Sequence, residues 1–346
     1  MVRSKEKPTM KSKASLGQTA NILEVEGVCI SVPQVKGPML NLIETADFQL
    51  RSDQSLGIVG ESGSGKTMLC RSLIGTLSRH GAVVSGGKIV FKGQDLTGVD
   101  ESTWRQIRGR CIGYVPQSSL AGLNPVLTVR TQLLEAIRVV RKLAPKEAEE
   151  EAIQLLEQVH IDRPVAVLDA RSDQLSGGMR QRVMIATAIA QKPDILIADE
   201  PTTALDVTIQ SEILALINSL HKELGMALIF VSHDLAVVEE VCDSVMVMYS
   251  GASVEIGPID AVVENPCHPY TKALLASRVD LATVGKELEA VPGDPASVGA
   301  WPTGCRFWPR CSLVDELCKQ GVQPSLKAVN SQQTACLRAD FLERNA

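Results

Sequence analysis

Short apolar runs that end at glycine or polar residues recur through the first 250 residues of the chain. Residues 55–59, 195–198 and 227–231 are runs of this kind. An uninterrupted apolar run is typical of a parallel strand that is buried on both faces. Between residues 183 and 250 such runs alternate with segments of helical spacing. The pattern predicts an α/β fold with a parallel sheet at its core.

Two other blocks have different patterns. Residues 22–60 and 86–98 read as short strands. Residues 127–175 are mostly helical in pattern, and residues 147–159 carry an apolar stripe at helical spacing. We therefore expect a small β subdomain and a helical subdomain, the latter at about residues 118–180.

The two ends of the chain differ from its middle. Residues 1–20 contain five Lys and Arg residues and few large apolar ones, which predicts a disordered basic tail. Past residue 258 the pattern breaks into proline-rich segments. We expect one large domain at residues 21–257 and a C-terminal extension at residues 258–346.

Composition narrows the class of protein. The 346 residues are 45% hydrophobic and 22% charged, which is ordinary for a soluble globular protein. A net charge of −5 argues against a broad nucleic-acid surface. The sequence has no uninterrupted apolar run of about 18 residues, so we expect no transmembrane helix. It begins with no secretory signal pattern, so we expect a cytosolic location.

Residues 60–67 have the spacing of a phosphate-binding loop, G-x-x-x-x-G-K-T. A predicted strand precedes the loop, and residues 68–74 predict a helix after it. Glycines let backbone N–H groups face phosphate oxygens, and the helix N-terminus favours negative charge. We expect Lys66 to reach the β- and γ-phosphates and Thr67 to bind Mg²⁺. The predicted nucleotide-binding residues are Gly60, Glu61, Ser62, Gly63, Ser64, Gly65, Lys66 and Thr67.

Polar residues also follow two later apolar runs. Asp199 and Glu200 come directly after residues 195–198, and His233 comes just after residues 227–231. Ligands of open α/β sheets bind at the carboxyl ends of the strands. Asp199 is therefore a candidate Mg²⁺ ligand, and Glu200 is a candidate general base for the attacking water. We expect His233 to touch the γ-phosphate.

The chain also contains the segment Leu175-Ser176-Gly177-Gly178-Met179. Together with the motifs above, this segment makes the chain resemble the ATP-binding subunits of ABC transporters over roughly residues 22–340. The segment matches the family signature Leu-Ser-Gly-Gly-Gln apart from Met179. In that family the signature contacts the γ-phosphate held by the opposite subunit. The resemblance implies a P-loop NTPase fold with an antiparallel β subdomain, a helical subdomain, and ATP hydrolysis between two facing subunits. It implies that Ser176, Gly177 and Gly178 serve the partner's ATP.

The same resemblance assigns further roles. Gln117 is implied to lie near Mg²⁺ and the attacking water, and to sense the membrane subunit. Asp206, in the segment 204–206, is implied to connect the two ATP sites. The helical subdomain is implied to dock a helix of the membrane subunit. The alternative is that its apolar stripe packs only on its own core.

The adenine contact is a departure from the family. Its members usually stack the base on an aromatic residue near the first strand, whereas residues 28–32 contain none. Either Val32 or Ile30 then packs on the base, or ATP affinity is lower than usual.

The C-terminal extension resembles a narrower group, the ATPases of oligopeptide and dipeptide importers. The resemblance rests on residues 268–275 and 304–311, and on residues 119–129 after Gln117. Relatives there import peptides, nickel complexes, opines or some oligosaccharides, so the cargo stays open. The implied partners are a second related ATPase, two transmembrane permease subunits and, indirectly, an extracytoplasmic solute-binding protein. The implied location is peripheral, at the cytoplasmic face of the inner membrane.

Four of the nine cysteines, Cys305, Cys311, Cys318 and Cys336, fall within 32 residues. The other five are scattered and read as small core residues. Disulfides are rare in the cytosol, and four neighbouring thiolates suit zinc or an iron–sulfur cluster. Some members of the resembling group carry a [4Fe–4S] cluster here, which makes a cluster the leading expectation. Zinc and free structural thiols are the alternatives.

Three other functions compete with a solute importer. A non-transport ABC ATPase usually has two cassettes or a long coiled coil, and this chain has one cassette and no sustained heptads. The C-terminal motifs argue against an exporter ATPase. Glu200 with His233 argues against a non-catalytic regulatory subunit.

Overall fold

The computed structural model describes residues 21–118, 122–139, 141–203, 205–277 and 291–339. The predicted basic tail, residues 119–121 and Ala204 lie outside the described residues. The strands are β1 (Asn21–Val32), β2 (Leu40–Ile43), β3 (Phe48–Arg51), β4 (Ser55–Val59), β5 (Val83–Phe91), β6 (Gln94–Asp95), β7 (Ile112–Val115), β8 (Ile195–Asp199), β9 (Ala227–Ser232), β10 (Ser244–Tyr249), β11 (Ala252–Pro258), β12 (Lys327–Val329) and β13 (Gln332–Thr334). The helices are α1 (Lys66–Leu73), α2 (Glu101–Ile107), α3 (Val129–Arg138), α4 (Pro145–Gln158), α5 (Pro164–Asp169), α6 (Gly177–Ile189), α7 (Val207–Leu224), α8 (Leu235–Val241), α9 (Ile259–Glu264) and α10 (Pro269–Ala276).

The larger sheet has the strand order β12-β13-β11-β10-β4-β9-β8-β7. The five strands from β10 to β7 are mutually parallel, and β11 is antiparallel to β10. Every residue of β4, β8 and β9 is buried, because helices cover both faces of a parallel sheet. The predicted α/β fold with a parallel-sheet core is confirmed.

The smaller sheet is antiparallel and comes from the N-terminal part of the chain. Its order is β2-β1-β5-β6, and β3 pairs with another part of β1. Leu23, Val25 and Ile30 of β1 are buried in a core that also holds Leu69 of α1. The small sheet therefore covers α1, the helix that follows the phosphate loop.

Helices α3 to α6 form a helical block between Val129 and Ile189. Ala148, Ala152 and Leu156 on the stripe of α4 are completely buried, in a core that continues into the main sheet. The stripe is therefore a core face. A groove for another protein must be sought elsewhere in this block.

The C-terminal extension joins the main sheet. The hairpin β12–β13 pairs with β11 through Glu255 and Ile256. Glu255 is completely buried, and its carboxylate accepts the backbone N–H groups of Cys267 at 2.6 Å and His268 at 3.0 Å. Burial raises the pKa of Glu255 to about 7. The extension is thus anchored to the sheet by both backbone and side-chain hydrogen bonds.

None of the helices in the described residues is long and apolar enough to span a membrane.

Candidate ATP site

Four neighbouring strands end at the same edge of the sheet. The loop 60–67 follows β4, and His233 comes just after β9. Asp199 is the last residue of β8, Glu200 is the next residue, and Gln117 comes shortly after β7. Loop residues, Gln117 and Glu200 line one cavity there. The structure thus brings the separate sequence motifs to one place, as the parallel order of the strands requires.

The loop places Lys66 at the start of α1. Gly65 has φ +106°, and a Cβ on Gly60 would lie 2.1 Å from the carbonyl oxygen of Met248, so larger residues would not fit. Lys66 Nζ donates to the carbonyl oxygens of Gly60 at 2.7 Å and Glu61 at 3.2 Å. Burial lowers the pKa of Lys66, although the carboxylates of Glu200 and Asp199 oppose this effect. The lysine is a cation fixed beside the phosphate-binding backbone.

Asp199 lies completely buried beside Thr67. Its carboxylate accepts hydrogen bonds from Thr67 Oγ1 at 3.3 Å and from the Tyr114 hydroxyl at 2.9 Å. Burial raises the pKa of Asp199 above its ordinary value, and the two hydrogen bonds counteract this. A hard divalent cation prefers hydroxyl and carboxylate oxygens, so Thr67 and Asp199 fit Mg²⁺ as a pair.

Glu200 has backbone strain and a side chain surrounded by donors. Its φ of +48° is rare for a non-glycine residue, and such strain is common at functional sites. The carboxylate accepts from Gln117 Nε2 at 2.9 Å and Thr203 Oγ1 at 3.1 Å. His233 Nδ1 lies 3.6 Å from the same Glu200 oxygen. Gln117 and His233 are therefore placed to orient Glu200 or a water bound to it.

The signature segment lies at a helix start. Ser176 is exposed and caps α6, its Oγ accepting the backbone N–H of Met179 at 3.2 Å. Asp206 caps α7 in the same way through Ile209 N–H at 3.0 Å. A Cβ on Gly178 would lie 2.9 Å from Ile209, so the two helix starts are adjacent.

Ser176, Gly177, Gly178 and Asp206 do not line the cavity at this chain's own phosphate loop, as far as the described residues show. Ser176 is nevertheless open to solvent. This placement leaves the signature free to face another molecule.

Of the alternatives for the adenine contact, packing of the base on Ile30 is wrong. Ile30 is completely buried in the core of the small sheet and cannot reach a ligand. Val32 is half-buried and packs against the same core. Leu42 from β2 and Val298 from the extension supply apolar surface to the cavity instead. Their positions lie far apart in the chain, so no local pattern could have indicated them.

Tyr114 is a site residue that the sequence reading missed. Its hydroxyl donates to Asp199, and burial raises its pKa well above the ordinary value. The residue lies within β7, three positions before Gln117. An aromatic residue in an apolar strand carries no signal of its own, and only the pairing of β7 with β8 brings it to Asp199.

The four cysteines of the extension line one small cavity, together with apolar side chains that include Phe307, Trp308 and Leu313. Burial raises the pKa of the Cys305 thiol to about 11 and that of the Cys336 thiol to about 12. In the described residues, however, no group of three or more His, Cys, Asp or Glu side chains is placed to hold a metal ion. The expected metal site therefore has no direct support from this geometry.

A second cavity lies where the helical block meets the sheet. Its lining combines apolar residues of α3 and α6 with basic residues from around α1 and β7. The basic members are Arg71, Arg79, His80, Arg108 and Arg110. This groove is open and strongly basic, in contrast to the buried stripe of α4.

Comparison with known proteins agrees with this geometry. The family model described as ABC transporter matches residues 43–203, which include the loop, Asp199 and Glu200. A putative peptide import ATP-binding protein of Brucella abortus (strain 2308) is 42% identical over 319 residues, covering 92% of this chain and 95% of that protein. The chain belongs to the ABC transporter family. It is an ABC-type ATPase, and the resemblance inferred from its motifs is confirmed.

Other relatives of this ABC ATPase extend the comparison. The family model described as oligopeptide/dipeptide transporter, C-terminal region, matches residues 254–318. A putative peptide import ATP-binding protein of Brucella melitensis biotype 1 is 41% identical over 92% of this chain and 95% of its own length. The structure of cbiO1 from Clostridium perfringens, a protein described as part of an ABC transporter complex, has a TM-score of 0.59 and 27% identity, covering 70% of this chain and 91% of its own. A bacterial ABC transporter cassette solved as a dimer has a TM-score of 0.60 and 25% identity, covering 68% of this chain and 98% of its own.

Proposed function

We propose that this chain is the ATP-hydrolysing subunit that powers import of peptides or related small solutes through separate membrane subunits. Residues of the phosphate loop and Glu200 line one cavity, and Asp199 lies directly behind it, hydrogen-bonded to Thr67, which supports hydrolysis. The match of residues 254–318 to the oligopeptide/dipeptide transporter C-terminal region supports the class of cargo. Nickel chelates, opines or oligosaccharides are the alternative cargoes.

The hydrolytic step follows from the placement of the side chains. Lys66 and the loop N–H groups hold the β- and γ-phosphates, and Thr67 with Asp199 would hold Mg²⁺. Glu200 accepts the proton of the attacking water, while Gln117 and His233 orient the water and the carboxylate. A Mg²⁺ ion held there would supply positive charge beside the phosphate oxygens. The signature residues Ser176, Gly177 and Gly178 act on the ATP of a facing subunit, with Asp206 between the two sites.

The experiment is ATPase activity of the complex reconstituted with its permease subunits and its cognate binding protein. A mixed peptide pool should raise the rate well above the rate without peptide. A complex that hydrolyses ATP but ignores peptides would leave the ATPase function standing and move the cargo to one of the alternatives.

We propose that the basic groove beside the helical block docks the membrane subunit. Its lining includes Arg71 of α1, the helix that follows the phosphate loop, and Met184 of α6, the helix that follows the signature, so a bound helix would contact both helices. Arg110→Glu reverses the charge of one exposed lining residue, and Arg105→Glu does the same at an exposed residue outside the lining. Arg110→Glu alone should reduce co-purification with the permease subunits, with ATP binding unchanged. Equal co-purification of the two variants would count against docking there.

We propose that the facing ATPase is a related but distinct chain. The exposed signature helix start and the dimeric form of a similar cassette support a two-subunit arrangement. Such a complex would lie at the cytoplasmic face of the inner membrane. Mass measurement of the complex purified from its native host should give two different ATPase chains, and a single ATPase mass would favour a homodimer.

We propose that the helical block at about residues 118–180 and the extension at residues 258–346 are distinct functional parts of the chain. The packing of α3, α4 and α5 on one another, and of α3 and α4 on α6, supports the first boundary. Hydrogen exchange should protect this block as one cooperative unit, and exchange that does not separate it from the sheet would count against the division.

We propose that Cys305, Cys311, Cys318 and Cys336 hold a [4Fe–4S] cluster. The observation behind this proposal is that the four cysteines line one cavity, since a [4Fe–4S] cluster takes four thiolates. Bound there, the cluster would have a structural role and order the extension. The raised thiol pKa values mean that binding must release protons.

Anaerobically purified protein should contain iron and acid-labile sulfide. Cys318→Ser should lose both, and Cys29→Ser, which changes a half-buried cysteine outside the extension, should keep both. Zinc in place of iron would support the alternative metal, and absence of any metal would leave free structural thiols.

A further inference from the structure

Two described residues of the extension form hydrogen bonds with Glu61 of the phosphate loop. Arg310 donates from Nη1 to Glu61 Oε2 at 2.7 Å and from Nη2 to Oε1 at 3.0 Å. The backbone N–H of Glu61 donates to the Tyr270 hydroxyl at 2.9 Å. Arg310, which lies 249 positions later in the chain, thus holds the side chain of Glu61. Tyr270, which lies 209 positions later, holds its main chain.

Arg310 and Tyr270 are themselves fixed. The Arg310 side chain is 5% exposed, and its Nε donates to the carbonyl of Pro292 at 2.7 Å. Tyr270 is completely buried, with its ring centroid 4.7 Å from that of Tyr249 and 5.4 Å from that of Phe307. A bidentate arginine–carboxylate pair fixes the orientation of the carboxylate and also adds interaction energy, and here the arginine itself is held in place. The extension therefore holds Glu61 in one position.

Glu61 in turn holds other parts of the loop. Its carbonyl oxygen accepts Lys66 Nζ at 3.2 Å and the backbone N–H of Ser64 at 3.1 Å. The backbone of this loop is the surface that binds phosphate. A rotation at Glu61 would displace both the lysine and the N–H groups, so the position of Glu61 governs how well the loop fits a triphosphate.

A second segment of the extension reaches the same cavity. Val298 lines it beside Leu42 and Lys66. The segment that carries Val298 is held by Arg306, whose guanidinium pairs with Glu44 and lies 3.4 Å from the centroid of the Trp301 ring. The extension thus contributes to the cavity wall as well as to the loop.

We propose that Arg310 and Tyr270 are positioning residues of the ATP site, and that the extension sets ATP affinity by holding Glu61. The proposal rests on the assignment of residues 60–67 to ATP. A loop that is ordered before binding loses less conformational entropy when ATP arrives. The chemical step belongs to Glu200 and Gln117, so the effect should fall on binding and leave the turnover number nearly unchanged.

The test is nucleotide affinity of the full chain, measured by fluorescence with an N-methylanthraniloyl derivative of ATP. Arg310→Met keeps the aliphatic part of the side chain and should weaken binding roughly 3- to 30-fold. In the reconstituted complex the KM for ATP should rise by a similar factor, with kcat within about twofold. Arg310→Lys should recover part of the loss, because a single charge remains.

Two further variants separate positioning from general damage to the fold. Glu61→Gln breaks the same pair from the loop side, and the double variant should be no weaker than the worse single variant. Arg338→Met breaks another arginine–carboxylate pair of the extension, the one with Asp315, and should leave the affinity for ATP unchanged. Unchanged affinity in Arg310→Met, additive losses, or an equal loss in Arg338→Met would each overturn the proposal.

Lys66→Ala distinguishes this proposal from the site assignment. Loss of binding in Lys66→Ala with normal binding in Arg310→Met would keep the ATP site and reject the positioning role. Normal binding in Lys66→Ala would reject the site assignment and the positioning role together.

Discussion

Glu200 is the residue on which the proposed chemistry of this site depends most. It has a left-handed backbone conformation at the end of a buried strand, and its carboxylate is 12% exposed. Gln117, Thr203, Lys66 and His233 all approach the same carboxylate. Several fixed partners hold the strained residue in place, which is the arrangement expected of a carboxylate that must be aimed at one water molecule.

Glu200→Gln should lower ATP hydrolysis by roughly 10²-fold or more and leave ATP affinity nearly unchanged. The amide keeps the size of the side chain but accepts no proton from water. Phosphate release and nucleotide binding should be measured on the same preparation. Glu240→Gln, which changes an exposed carboxylate on α8, is the control. Turnover of Glu200→Gln at the level of this control would remove Glu200 from its role.

At the scale of elements, helix starts carry much of the site. At the starts of α1, α6 and α7 the first backbone N–H groups have no carbonyl partner within the helix, and the helix dipole has its positive end. The start of α1 belongs to the chain's own phosphate loop. The starts of α6 and α7 are adjacent and lie outside that cavity. Ser176 therefore combines a local task, capping α6, with the proposed contact to a partner's ATP.

Ser176→Ala separates these two tasks. Loss of the cap should lower the free energy of unfolding by about 1 kcal/mol. Hydrolysis by the assembled complex should fall at least about 10-fold, because a donor to the partner's γ-phosphate is lost. ATP binding by the isolated chain should not change.

Asp100→Ala is the matched control, since Asp100 caps α2 by the same kind of bond to Thr103 N–H. It should show a similar loss of stability without the loss of hydrolysis. If both variants hydrolyse ATP equally well, Ser176 has only its structural task.

In the whole molecule, the C-terminal extension and the ATPase domain share one sheet and are joined by side-chain hydrogen bonds. The hairpin β12–β13 lengthens the main sheet, and Arg306 pairs with Glu44 of the small β subdomain region. Glu255 ties the start of α10 to β11 through two backbone N–H groups. The same helix carries Tyr270, which accepts from the phosphate loop. Stability of the extension and order of the ATP site are therefore connected.

Glu255 should make the stability of the protein depend on pH. Its folded pKa of about 7 lies above the ordinary value, so the unfolded chain binds fewer protons at this group between about pH 4 and pH 7. The contribution to stability is fully present below the unfolded pKa and is lost as the pH rises through 7. Relative to Glu255→Gln, the wild type should lose roughly 2–3 kcal/mol of unfolding free energy between pH 4.5 and pH 8.

The measurement is chemical unfolding of both proteins at several pH values, with Glu240→Gln as an exposed control. The comparison with Glu255→Gln cancels the titration of all other groups. A difference between the two proteins that stays constant over this range would contradict the raised pKa.

Local sequence patterns were enough to predict the fold class, the phosphate loop and the order of the motifs. These features are local: a loop needs glycines at set spacings, and a buried parallel strand needs an uninterrupted apolar run. The signature at residues 175–179 and the C-terminal motifs also sufficed to indicate the family. Each of these signals is contained within about ten consecutive residues.

Contacts at the site between residues far apart in the chain could be found only from the tertiary structure. Tyr114 reaches Asp199 because β7 pairs with β8, and Arg310 reaches Glu61 because the extension folds back on the loop. Burial of Ile30 likewise depends on how the small sheet packs on α1. Such contacts follow from the packing of elements far apart in the chain, and the periodicity of one segment contains no information about which other segment will cover it.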